Sequence, residues 1–137
     1  MTEDSKQRPL VLFVCQHGAA KSVLAAELLE RKASELHVPV DVRVAGVDPS
    51  ETIADGVLTL FPDRADQLRD RRPRGVERGD VEAATVTVTF NVASDELPAR
   101  PSRQLAWDDI PAVSEDPAGA RDAIDRRVGE LIERLRS

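Results

Sequence analysis

Val11-Leu12-Phe13-Val14-Cys15-Gln16-His17-Gly18-Ala19-Ala20-Lys21-Ser22 runs from an apolar stretch into a loop of small residues and then into a helical pattern. The continuous apolar run over 10–14 predicts a strand buried on both faces, as in a parallel sheet. Ser22 predicts a helix entry. From there to residue 36, Ala25, Leu29, Ala33 and Leu36 share one helical face, with Glu27, Glu30, Arg31 and Glu35 largely elsewhere. A loop leaving a parallel strand at its carboxyl end lies where α/β proteins place ligands. Gly18, Ala19 and Ala20 are small enough for backbone N–H groups to converge, and the next helix points the positive end of its dipole at them. Such a concavity suits a tetrahedral anion, with Gln16, His17, Gly18, Ala19, Ala20 and Lys21 as the predicted oxyanion-binding residues. It also favours the nucleophilic thiolate of a cysteine placed in it. Cys15 is the predicted nucleophile, and Ser22 is placed to donate its hydroxyl to that sulfur. A nucleotide phosphate loop requires glycine where Ala20 stands, directly before Lys21-Ser22, which argues against that reading.

Outward from this stretch, residues 1–8 are polar and expected to be a frayed leader. Residues 9–137 fit a single domain. Residues 38–44, where Val40, Val42 and Val44 alternate with Asp41 and Arg43, predict a second strand at an edge. Residues 52–60 predict a short helix, and 62–75, rich in Arg, Asp and Pro, a loop with one more helical turn. A brief helix over 80–84 precedes Thr85-Val86-Thr87-Val88-Thr89-Phe90, which predicts a central strand. Residues 104–107 predict the last strand. Ile124, Val128, Leu131, Ile132 and Leu135 mark a closing helix over 117–135, with Pro117 in its first turn. Strands alternating with helices predict an α/β sandwich around a parallel sheet.

Composition narrows the function. A net charge of −6 argues against non-specific nucleic-acid binding, which needs a basic face. No apolar run is long enough for a signal peptide or membrane helix, so no membrane partner and a cytoplasmic location are expected. The single cysteine excludes an internal disulfide and a relay of several cysteines, and with His17 and His37 it cannot make a structural zinc site. His37 reads as a helix-end residue. The Arg69, Arg71, Arg72 and Arg74 group reads either as a steering patch for anions or as a solvated loop paired with neighbouring aspartates. Trp107 either lines the pocket or packs beneath the loop that follows it.

The stretch VLFVCQHGAAKS, followed by VLAAELL, resembles the start of the low-molecular-weight protein tyrosine phosphatases and of the arsenate reductases that share their fold. Their signature is Cys-x5-Arg-[Ser/Thr] directly after the first strand, matched by Cys15 and Ser22. Ala45-Gly46, the TVTVTF strand, the Trp107-Asp108 loop and the last helix with Arg121-Asp122 extend the likeness over most of the chain. The resemblance implies a four-stranded parallel sheet flanked by helices on both faces. It implies a cysteine-dependent reaction on a phosphate-like or arsenate-like oxyanion, with no metal or cofactor. Two activities follow from it: hydrolysis of a phosphomonoester, or arsenate reduction that passes arsenate to a small external thiol. It also implies a late-loop aspartate as general acid. Asp108, Asp109 and Asp116 are available; Asp109, which closely follows Trp107, and Asp116, which has the expected Asp-Pro dipeptide, are the candidates, and a loop acid or helix cap is the other reading of each of the three. One position departs from the pattern: Lys21 stands where the family has arginine. Arginine offers a planar fork for two oxygens and lysine a point charge. Losing one charge-assisted hydrogen bond costs roughly 1.5–3 kcal/mol, so the substitution also admits a third reading, an anion-binding or partner-binding relative with impaired turnover.

Overall fold

The computed structural model describes residues 8–136; the leader expected over 1–7 lies outside the described residues. Arg8, the last residue of that leader, is tied to the domain through its bonds to Asp41 and to the Val40 carbonyl. β1 (Leu10–Cys15) is buried throughout, as its apolar run requires. It lies between β2 (Asp41–Gly46) and β3 (Val86–Thr89), and β4 (Gln104–Ala106) completes a four-stranded sheet of order β2-β1-β3-β4, parallel at every pairing. Side chains alternate across a strand. Val11, Phe13 and Cys15 therefore enter one core with α1 (Lys21–Leu36) and the last helix, α5 (Pro117–Arg136), while Leu12 and Val14 enter a second with Val81, Ala84, Val92 and Leu97. Helices thus cover both faces, as the pattern predicts.

The second strand starts later than its valine alternation predicts. The Val38 amide donates to Ala33 O and closes α1 (2.9 Å), and Pro39 has no N–H to offer. Pairing begins at Leu10↔Asp41 and runs to Cys15↔Gly46. Between β2 and β3 the chain forms α2 (Asp55–Leu60), a 3-10 turn (Pro62–Arg64), α3 (Ala65–Asp70) and α4 (Arg78–Ala83), slightly more helix than the Arg/Asp/Pro-rich composition predicts. α5 packs along α1 through Ala120, Ile124, Val128, Leu131 and Ile132, all buried. Each fully buried aliphatic side chain of this kind contributes about 1.5–3 kcal/mol.

Two expectations for α1 are corrected. Ser22 is not its cap: the helix begins at Lys21, the cap position is Ala20, and no side chain caps it. The Ser22 hydroxyl is committed to Cys15 instead. Glu27 does not lie outside the core; it is only 3% exposed. Arg64 reaches it with Nε and Nη2, both at 3.1 Å, and this two-pronged pairing makes a buried carboxylate tolerable. Among the described residues, no helix is long and apolar enough to cross a membrane.

Candidate active site

The loop between β1 and α1 is held from outside by the segment that follows β2. Val47 N–H donates to Cys15 O (3.1 Å), Asp48 N–H to Gln16 O (2.6 Å), Ser50 N–H to His17 O (3.0 Å) and Ala54 N–H to Ala19 O (2.9 Å). With four loop carbonyls engaged on that side, the amides are left for the other. Gly18 shows the result directly: its N–H donates to Cys15 Sγ at 3.2 Å. On the opposite side Ser22 Oγ lies 2.9 Å from the same sulfur. The buried sulfur therefore sits between the Gly18 N–H and the Ser22 hydroxyl at the head of an uncapped 16-residue helix, an environment that suits a bound anion.

Gly18 is required by its surroundings. It has φ +60°, and a Cβ there would lie 2.8 Å from the Gly46 nitrogen. Gly46 returns the constraint, because a Cβ on it would come within 2.6 Å of the His17 carbonyl carbon. The loop is thus pressed against the end of β2, backbone on backbone.

A cleft of about 750 Å³ opens above the sulfur. It is bordered by the predicted Cys15, Gln16, His17, Ala19, Ala20 and Lys21, and by residues of α2, the end of β3 and the 112–117 stretch. Gly18 and Ser22 lie beneath, both buried. His17 is exposed and its Nδ1 donates to the Asp48 carbonyl (2.9 Å). The predicted acids stand apart from the lining. Both oxygens of Asp109 are held by Arg127 Nη2, at 2.7 and 2.9 Å. Asp116 accepts from the Gly119 N–H (3.0 Å) and caps α5, next to the cleft-lining Pro117. Trp107 packs against Phe13 and Phe90 in the core instead of lining the cleft. Arg69 and Arg74 are paired with Asp66 and Asp80, and Arg71 and Arg72 border a small hollow behind Gly18, not the cleft.

The sequence reading missed two polar residues, Asn91 and Asp55, and weighed a third, Asp108, only as an acid. Asn91 lines the cleft and receives Lys21 Nζ on its Oδ1 at 3.2 Å. Asp108 accepts the Asn91 N–H through Oδ1 (2.8 Å). Among the described residues, Asp55 is the one carboxylate in the cleft lining, at the start of α2. Asn91 was within reach of the sequence: it follows a central strand next to β1, at the same end of the sheet as the Cys15 loop. Asp55 depends on the path of an irregular segment, for which the sequence carries no signal.

This fold recurs in solved structures. A thioredoxin-dependent arsenate reductase from Corynebacterium glutamicum is 28% identical, with a TM-score of 0.75 over 94% of this chain. The chain spans 62% of the length of that structure. The arsenate reductase of Archaeoglobus fulgidus is 27% identical, with a TM-score of 0.68, over 90% of this chain and 98% of the other. A low-molecular-weight protein tyrosine phosphatase from T. tengcongensis is 17% identical, with a TM-score of 0.70, over 92% of this chain and 99% of the other. No family model and no curated protein matches the sequence. Fold and loop place the chain in the low-molecular-weight protein tyrosine phosphatase and arsenate reductase superfamily.

Proposed function

We propose that the chain is a cysteine-dependent enzyme acting on a tetrahedral oxyanion in the 15–22 loop, and that its reaction is phosphomonoester hydrolysis. The observation that carries this reading is Cys15 Sγ held between the Gly18 amide and the Ser22 hydroxyl on the floor of the cleft. The Cys15 thiolate attacks phosphorus in line with the ester oxygen. The S–P bond forms as the P–O bond breaks, and the leaving oxygen takes a proton from an acid. Water then attacks the thiophosphate, gives its proton to the same carboxylate and frees both inorganic phosphate and the thiolate. Loop amides and Lys21 hold the equatorial oxygens. Of the two expected acids, Asp116 is the better proton donor. It adjoins the cleft at Pro117, whereas Arg127 holds both Asp109 oxygens. Few aromatic side chains line the cleft, Phe90 being the one contributed by the core, so a small phosphomonoester fits better than a phosphotyrosine ring.

Hydrolysis of p-nitrophenyl phosphate at mildly acidic pH tests this. Cys15→Ser is expected to abolish turnover, and Asp116→Asn to lower it by about 10²-fold or more. Asp109→Asn is expected to leave it within a few-fold. If Asp55→Asn is the variant that loses activity, the proton donor lies across the cleft and the Asp116 assignment is wrong.

A second reading has its own support: the two solved arsenate reductases are 28% and 27% identical, against 17% for the phosphatase. With one cysteine, reduction requires an outside thiol. Cys15 displaces water from arsenate and forms an S–As bond. A small thiol then attacks the cysteine sulfur, arsenite departs with the bonding pair, and a second thiol reduces the mixed disulfide. Thiol-dependent arsenite formation without phosphatase turnover selects this reading. Absence of both activities, with phosphate still raising the melting temperature, selects an anion-binding relative handicapped at Lys21.

A further inference from the structure

Lys21 carries the one charged group of the loop, and a lysine ammonium has four rotatable bonds and no geometry of its own. A point charge of this kind contributes to binding only where something else fixes it. Asn91 supplies that fixture. Its Oδ1 accepts from Lys21 Nζ (3.2 Å), its N–H donates to Asp108 Oδ1 (2.8 Å), its Nδ2 donates to Asp108 O (3.2 Å), and its carbonyl accepts from Gln16 Nε2 (3.1 Å). Gln16 Nε2 also lies 3.3 Å from each Glu96 carboxylate oxygen, and Glu96 accepts from the Ala93 N–H (2.9 Å). Asn91 adopts φ +57°, a left-handed conformation that asparagine tolerates better than most residues. Three loops therefore meet at one amide side chain: the cysteine loop, the turn after β3 and the loop after β4.

We infer that Asn91 is a positioning residue, which fixes the Lys21 ammonium at the mouth of the Cys15 loop and so performs for lysine what the planar fork does for an arginine. The inference rests on the reading that this loop binds an oxyanion and deepens it. Asn91 acts on the bound anion through Lys21.

The test compares alkylation of Cys15 by iodoacetate and by iodoacetamide at one pH. The two reagents have similar size, but the first is an anion, so the ratio of their rates reports positive charge beside the sulfur. Loosening of the loop accelerates both and leaves the ratio unchanged. Lys21→Met is expected to lower the ratio about fivefold, the size of effect when one surface charge is withdrawn from a reacting anion. Asn91→Gly, which keeps the left-handed backbone, is expected to lower it to the same level, and the double variant no further. Asn91→Ser, too short to reach Nζ, carries the same expectation if the glycine variant folds poorly. A ratio at the wild-type value in the Asn91 variants overturns the inference, whether or not Lys21→Met lowers it. A drop in the double variant well below either single variant also overturns it, since the two residues then act separately. Inorganic phosphate is added to the wild-type protein in parallel. Failure of phosphate to slow alkylation, with the ratio still dependent on Asn91, defeats the oxyanion reading and leaves the tether standing.

Discussion

Gly18 concentrates the demands of the site in one residue. It takes φ +60°, donates its N–H to Cys15 Sγ and lies against the Gly46 backbone. Gly18→Ala adds a Cβ that meets the Gly46 nitrogen at 2.8 Å in a conformation alanine disfavours. The expected cost is about 1–3 kcal/mol of stability, read as a lower melting temperature. A larger fractional loss of phosphate binding should accompany it. A variant of unchanged melting temperature and unchanged phosphate affinity would mean that the loop has room that the backbone contact denies. The residue types of this site were legible in the sequence because their chemistry is local: a strand end, a small-residue loop and a cysteine at its base. Asp55 was not, since it reaches the cleft only through the path of an irregular segment; Asn91 was legible only through its place just after a central strand.

At the scale of elements, the segment before α4 is clamped by one carboxylate. Asp80 accepts from Arg74 Nη1 and Nη2 at 2.8 Å each, from Arg43 at 3.3 Å and from the Glu77 N–H at 2.9 Å. The bond to Arg74 dominates in lowering the Asp80 carboxyl from 3.8 to about 2. The folded state thus binds this proton less readily than the unfolded chain. The stabilisation is present in full above about pH 4 and is lost as pH falls through about 2. Asp80→Asn should therefore cost about 1–2 kcal/mol at neutral pH, with the difference from wild type shrinking as pH falls from about 4 towards 2 in denaturant titrations. A difference independent of pH in that window would assign the effect to packing. The same pairing was only partly legible in the composition of residues 71–75. Pairing of these arginines with neighbouring aspartates is legible in the sequence and is met at Arg74; only the fold shows that its partner carboxylate is buried beside β2, whose end bridges to Gly75. Glu27 misled for the same reason: its position on the helix wheel is polar, and Arg64, 37 residues on, makes its burial possible.

Across the whole molecule, strand identity and the α/β layering were readable because apolar runs and β-branched alternation are written locally, and the parallel order follows from the intervening helices. The same order brings the ends of β1 and β3 side by side, so that the Cys15 loop and Asn91 share one mouth and α1 starts there uncapped. Everything proposed about turnover depends on that mouth holding a tetrahedral oxyanion against the sulfur. Calorimetric titration of the Cys15→Ser protein with inorganic phosphate tests this most directly, because the cradle is kept while the chemistry is removed. Binding of one phosphate per chain is expected, weakened several-fold when Lys21→Met is added. Absence of any saturable binding, or binding indifferent to Lys21, would contradict it.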